Sequence, residues 1–87
     1  MSTPEARLRS ICDLFRKAIE DLRKEIPRKE KQESALESRI SQLQSQPNPD
    51  TAQIQLLQEQ LAGLKNQLET DRAQLNAFEE EFSASCN

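Results

Sequence analysis

The sequence predicts an all-α protein, an antiparallel two-helix coiled-coil hairpin that forms a single domain over its 87 residues. Only 3% of the residues are aromatic and few are β-branched, so strands would lack the side chains that pack well on a sheet. Apolar residues recur at alternating steps of three and four, which is the a/d pattern of a coiled coil. A segment with two prolines, Pro47 and Pro49, divides this pattern near its middle.

The first predicted helix covers about residues 4–45. Thr3 is a suitable N-cap, Pro4 suits the first helical position, and Glu5 places an acid at the positive end of the helix dipole. The heptad pattern then runs to the central prolines without an inserted or deleted residue. Its a and d positions are Leu8, Cys12, Phe15, Ile19, Leu22, Ile26, Lys29, Glu33, Leu36, Ile40 and Leu43.

Pro27 lies inside this first helical pattern, at an outward-facing b position. Because the heptad phase continues from Ile26 to Leu36, we interpret the segment as one helix that is kinked at Pro27. The alternative is a three-helix chain in which one helix ends near Glu25 and another begins at Pro27, since proline is common at a first helical position.

The turn is predicted at about residues 46–50 and the second helix at about 51–84. Two prolines one residue apart cannot continue a helix, and Asp50 with Gln53 three residues later resembles a capping box. The pattern of the second helix is interrupted once, at Asp71. Its a and d positions are Ile54, Leu57, Leu61, Leu64, Leu68, Asp71, Leu75, Phe78 and Phe82.

Helices joined by so short a turn are expected to fold back antiparallel. In this pairing the residue numbers of two facing core positions add up to 97. Ile19 is therefore expected to face Phe78, and Phe15 to face Phe82. The charge distribution also favours the antiparallel pairing, because residues 1–31 carry a net charge of +3 and residues 32–87 a net charge of −6. The alternative is a parallel dimer of long helices with the turn unfolded.

The antiparallel pairing also sets the e positions of the two helices side by side. Exposed ion pairs contribute only a few tenths of a kcal/mol each, so they choose orientation more than they stabilise the fold. The expected neighbours are Arg16 and Arg23 with Glu79, and Glu30 with Lys65 and Arg72.

Three polar residues, Lys29, Glu33 and Asp71, interrupt the predicted apolar core. Lys29 and Asp71 are expected one layer apart, where the ammonium and the carboxylate can pair diagonally. Polar groups in a coiled-coil core lower stability while excluding slipped alignments, so we interpret them as a device that fixes the register. The alternative is a hinge or a recognition site.

The predicted fold brings Cys12 and Cys86 together, because Cys12 faces Ser85. A disulfide at this place would close a long loop at the open end of the hairpin. In a reducing compartment both residues stay thiols, with Cys12 a small buried apolar residue and Cys86 a thiol near the end of the chain. The sequence leaves both states open.

Several functions are made improbable by what the chain lacks. It contains no histidine, so general acid/base catalysis and zinc or haem ligation have few candidate residues, and we predict no enzyme activity, no cofactor and no metal site. No apolar run approaches the roughly 20 residues of a membrane span. Because the charged start of the sequence does not resemble a signal peptide, we predict a cytoplasmic location.

One side of the predicted hairpin is rich in amides and poor in charge. We expect it to bind an unidentified protein partner or a second copy, giving a homodimeric four-helix bundle; a monomeric hairpin with solvated glutamines is the alternative. The candidate partner surface consists of Ile11, Leu14, Gln53, Leu56, Gln60, Gln67 and Gln74.

The predicted function is therefore a non-enzymatic interaction or assembly module, such as an adaptor, a chaperone-like arm or a regulatory subunit. The second hypothesis is a nucleic-acid-binding hairpin that uses Lys17, Lys24 and Lys31, which recur every seven residues on the outer face. Acidic neighbours and the absence of stacking aromatics weigh against it. An amphipathic helix at a membrane surface is the third.

Overall fold

A computed structural model describes residues 3–86 of the chain as two long helices. Helix α1 covers Pro4–Gln44 and helix α2 covers Thr51–Cys86; residues 45–50 join them. The helices pack against each other as a rod of 68 × 20 × 14 Å, and the described residues contain no strand. The predicted all-α helical hairpin is confirmed.

The start of α1 and the turn are held by the capping residues that the sequence indicates. The Ala6 backbone N–H donates to Thr3 Oγ1 at 3.1 Å. After the turn, the Gln53 backbone N–H donates to Asp50 Oδ1 at 3.1 Å and so satisfies one of the free amides of α2. The end of α1 is closed by Ser45, whose backbone N–H donates to the Ser41 carbonyl oxygen at 3.1 Å.

Helix α2 extends two residues beyond the predicted end at 84. Two contacts account for the extra residues: Ser85 Oγ donates to Glu81 Oε1 at 3.1 Å, and Cys86 is covalently bonded to Cys12 of α1. A helix end that is anchored to its neighbour does not fray, so the last turn stays helical.

Helix α1 passes through Pro27 without ending, so the three-helix alternative is not adopted. Pro27 is exposed, whereas the preceding residue, Ile26, is only 8% exposed and belongs to the core. The proline therefore lies on the outer face. It has no N–H to donate to the carbonyl one turn earlier in the helix, and water can hydrogen-bond this carbonyl instead.

The core lies along the line where the two helices meet. All buried residues in the described part of the chain occupy predicted a or d positions, and Leu68, at 0% exposure, is the most completely covered. Among the aromatic residues, Phe15 packs against Phe78, with ring centroids 5.8 Å apart, and Phe82 lies beneath the Arg16 guanidinium. The buried residues are Cys12, Ile19, Ile26, Ile40, Leu43, Ile54, Leu64 and Leu68.

Leu8 does not belong to the core, although the heptad pattern places it there. Its side chain is 48% exposed. In the antiparallel pairing its counterpart would be position 89, whereas the described part of α2 ends at Cys86. Leu8 therefore has no facing residue in the described part of α2, and within residues 3–86 the core begins one layer later, at Cys12.

The e positions form a charged edge along one side of the rod. Two predicted ion pairs are present, Arg23 with Glu79 at 3.5 Å and Arg72 with Glu30 at 3.2 Å. The expectation for the other two cations was wrong. Lys65 pairs with Glu37 at 3.7 Å rather than with Glu30, and Arg16 pairs with Asp13 on its own helix at 2.7 Å.

The observed ion pairs explain both corrections. In each interhelical ion pair between e positions the two residue numbers add up to 102. This register places Glu37 opposite Lys65 and Glu30 opposite Arg72. By the same rule the neighbour of Arg16 is position 86, which is a disulfide-bonded cysteine and offers no charge.

Candidate interaction face

The side of the rod opposite the charged edge is formed by the g and c positions of both helices, and we call it the glutamine-rich face. On α2 the face has a row of eight exposed and uncharged residues from Gln53 to Ala77, and Glu81, the next g position, is its first charged residue. Every glutamine of the predicted partner surface lies in this row. The row consists of Gln53, Leu56, Gln60, Gly63, Gln67, Thr70, Gln74 and Ala77.

A groove of about 690 Å³ lies in the middle of the glutamine-rich face. Leu36 and Leu64, both at d positions, line it together with small residues and glutamines. A Cβ atom built on Gly63 would meet nothing within 4 Å. The hairpin itself therefore does not need a glycine here, although glycine inside a helix costs roughly 0.5–1 kcal/mol relative to alanine.

Exposed apolar side chains lie toward both ends of the glutamine-rich face. At the end away from the turn, Ile11 is 48% and Leu14 is 69% exposed. Together with Phe15 and Phe78 they line a depression of about 310 Å³. Near the turn, Leu56 is 54% exposed. The structure thus brings all seven predicted partner residues onto one continuous side of the rod.

Helix α1 contributes charges to the glutamine-rich face that the sequence interpretation did not single out. Arg28 pairs with Glu25 on the same helix at 2.8 Å. Asp21 and Arg39 are exposed and form no ion pair within residues 3–86. Their heptad positions, c for Asp21 and g for Arg39, could have placed both residues on this face from the sequence alone. Phe15 and Phe78 were predicted as core residues only, yet both are half-buried and reach this face.

The polar interruption of the core contains one direct ion pair. Lys29 Nζ donates to Asp71 Oδ2 at 2.7 Å, and the two side chains are only 17% and 14% exposed. Lys29 and Asp71 thus form the diagonal pair that the heptad positions predict. Glu33 is half-buried and forms no ion pair with any described residue. The Lys29–Asp71 pair is therefore the one strongly shielded ion pair between the described parts of the two helices.

Of the two redox states that the sequence leaves open, the structure has the bonded one. A disulfide joins Cys12 and Cys86 with their Cα atoms 5.7 Å apart, and neither cysteine is free. Leu8, Arg9 and Ser85 lie around it in a shallow surface depression. The end of the hairpin away from the turn is therefore covalently closed.

The basic line of the outer face is present as a surface feature. Lys17, Lys24 and Lys31 are exposed, and none forms an ion pair among residues 3–86. Asp13, Glu20 and other acids lie on the same helix. The structure does not bring the three lysines to the glutamine-rich face.

The described part of the chain holds no group of three or more acidic, cysteine or histidine side chains arranged to bind a metal ion. Neither α1 nor α2 combines the length and apolar character of a membrane span. Compared with protein families, curated proteins and solved structures, the chain matches none.

Proposed function

We propose that the chain is a non-enzymatic interaction and assembly module, and that its glutamine-rich face binds a second copy to form a four-helix bundle. The observation that carries this proposal is the row of eight exposed, uncharged residues on α2. On the opposite edge the hairpin pairs its own charges in three interhelical ion pairs. The two sides of the rod thus differ, because among residues 3–86 the glutamine-rich face has no ion pair between the two helices.

The small core supports a dimer. Eight apolar side chains are buried in the described hairpin, and isolated two-helix structures of this size are marginally stable in water. A stable interface covers about 800 Å² on each partner. Since the rod measures 68 Å by 20 Å in its two longer dimensions, a little more than half of one face suffices.

A dimer of this kind would serve as an adaptor, a chaperone-like arm or a regulatory subunit. These roles need an accessible surface and a fixed length rather than a cleft. The rod length of 68 Å, with helices that are continuous over 41 and 36 residues, supports a role in spacing or holding other proteins.

The proposal predicts that two charges on the glutamine-rich face prevent assembly. We expect light scattering to give about 20 kDa for the wild type, twice the chain mass of 10.0 kDa, and about 10 kDa for a Gln60→Glu, Gln67→Glu variant. Both amides would become carboxylates that a second copy buries without partners.

The matched control is a Gln55→Glu, Gln58→Glu variant, which has the same change of charge outside the glutamine-rich face of α2. It should remain a dimer. A wild-type protein that is helical, cooperatively folded and about 10 kDa would contradict the proposal, as would equal dissociation of both variants.

Nucleic-acid binding remains the second candidate function, because Lys17, Lys24 and Lys31 are exposed and unpaired among residues 3–86. This hypothesis predicts a mobility shift of duplex or single-stranded nucleic acid at low salt. The shift should weaken steeply with salt and disappear when the three lysines are replaced by glutamine. No shift at low salt would remove this candidate.

A cytoplasmic location is part of the same proposal, and it has a consequence for the cysteines. The reducing cytosol keeps thiols reduced, so Cys12 and Cys86 would be free there, whereas the bonded form belongs to an oxidising compartment. Alkylation of thiols at the moment of lysis, followed by intact mass, distinguishes the two. Complete disulfide in freshly trapped protein would place the chain elsewhere.

A further inference from the structure

We propose that the Cys12–Cys86 disulfide is a redox-sensitive closure, and that its reduction lets one part of the hairpin open while the rest stays packed. We call residues 4–26 and 73–86 the outer part, and residues 28–44 and 51–72 the turn part. In the oxidised chain the bond holds the end of the outer part shut. In the reduced chain the outer part opens and recloses, which gives solvent access to the side chains between its helices. The inference does not depend on the proposed dimer.

The outer part has the weaker apolar packing. In the turn part five side chains are buried, and both helices contribute to them. In the outer part the buried side chains all belong to α1, whereas the core residues of α2 described there are half-buried. Opening the outer part therefore exposes less apolar surface than opening the turn part does. The half-buried core residues are Leu75, Phe78 and Phe82.

The ion pairs between the helices are distributed in the same way. Among residues 3–86, three of the four interhelical ion pairs belong to the turn part, including the shielded pair of Lys29 and Asp71. The fourth, Arg23 with Glu79 at 3.5 Å, lies in the outer part, and its side chains are 61% and 41% exposed. Because so exposed a pair contributes little to stability, the disulfide is the strong connection of the outer part.

Pro27 lies at the boundary between the two parts of α1. It has no N–H to donate to the Arg23 carbonyl, so the helix lacks one backbone hydrogen bond at this boundary. Segments on the two sides of such a gap depend less on each other than in an unbroken helix, which favours opening of one part alone. The loop of residues 45–50 keeps the helices of the turn part together in either redox state.

A reductant can reach the bond from solvent. The two cysteines line a surface depression of about 280 Å³ together with Arg9 and Arg16, and Cys86 is only half-buried. Arg16 is paired with Asp13, whereas Arg9 forms no ion pair among residues 3–86, so its charge favours the approach of an anionic thiol such as glutathione. Two glutathione molecules supply two electrons and two protons. The S–S bond breaks, both cysteines become thiols, and the two glutathione sulfurs join as a disulfide.

Matched thiol probes in the two parts test the proposal. Ile19→Cys places a probe in the outer part and Ile40→Cys places one in the turn part. Both isoleucines occupy a positions and are 6% and 7% exposed, so the change and the initial burial are the same. Each probe is introduced into the chain with the native bond and into a chain in which Cys12→Ala and Cys86→Ala remove it. Timed alkylation with iodoacetamide and peptide mapping give the rates, and intact mass verifies the native bond.

Without the bond, the Ile19→Cys probe should react at least about tenfold faster than the Ile40→Cys probe, because the outer part opens without the turn part. The native bond should slow the Ile19→Cys probe by about a hundredfold or more, since opening then leaves a closed loop of roughly 30 residues. Treatment of the bonded chain with glutathione, followed by desalting under argon, should raise the rate at this probe to that of the chain without the bond.

Three results would overturn the proposal. Equal rates at the two probes without the bond would show that the hairpin opens as a unit, and rates equal to those in urea would show that the turn part does not stay folded alone. An Ile19→Cys rate that neither the bond nor glutathione changes would show that the disulfide does not control opening. Circular dichroism of each chain verifies that the probe substitutions leave the helices intact.

Discussion

Reduction of the Cys12–Cys86 disulfide should lower the free energy of unfolding by about 4 kcal/mol. The bond joins residues 74 apart, and in the chain-entropy model a loop of this length strongly restricts the unfolded chain. Urea unfolding followed by circular dichroism, on oxidised and reduced protein at one chain concentration, measures the difference. The midpoint should fall while the helical signal before the transition changes little.

A Cys86→Ala variant is the control for this measurement, because it cannot form the bond and its unfolding should not respond to reductant. Its stability should match that of the reduced wild type, since Cys86 is only partly buried. Equal urea midpoints for oxidised and reduced wild-type protein would show that the bond does not contribute as the loop length predicts.

Replacing Asp71 by leucine should destabilise the hairpin by about 2–3 kcal/mol, whereas replacing both Lys29 and Asp71 by leucine should raise the melting temperature above that of the wild type. The single change leaves the Lys29 ammonium, 17% exposed, without its carboxylate. The double change removes both charges and fills the gap with apolar side chains in the core. Thermal unfolding of the wild type, both single variants and the double variant completes the cycle.

The exposed pair of Glu30 and Arg72 is the matched comparison, because its side chains are 48% and 52% exposed. Replacing both by glutamine should change stability by no more than about 1 kcal/mol. If the Lys29→Leu, Asp71→Leu variant melts lower than the wild type while its oligomeric size is unchanged, the pair contributes net stability, and the interpretation as a register device is wrong.

The heptad pattern predicted the core closely because burial in a two-helix rod depends almost entirely on which side of the helix a residue occupies. Every buried residue of the described chain was at a predicted a or d position. The pattern failed at Leu8, since a periodicity carries no information on where the opposite helix stops. It also gave Lys65 the wrong partner, because the interhelical e pairs have numbers that total 102 and this register places Glu37, not Glu30, opposite Lys65.

The candidate interaction face was predicted in composition but not in detail. Spacing alone places the glutamines, Ile11, Leu14 and Leu56 on one side of the rod. The groove over Leu36 and Leu64 depends on how far apart the helices lie, which spacing does not give. The state of the cysteines depends on the surroundings of the molecule as much as on its sequence.

The disulfide and the turn together make the chain from Cys12 to Cys86 a covalent ring. One cut by a protease in the exposed loop of residues 45–50 therefore releases no fragment, because the two helices stay joined at the other end. Neither helix can slide along the other by a heptad without straining the bond or the turn. In its oxidised form the rod thus has a fixed length and survives a nick, whereas in its reduced form the same cut yields two separate helices.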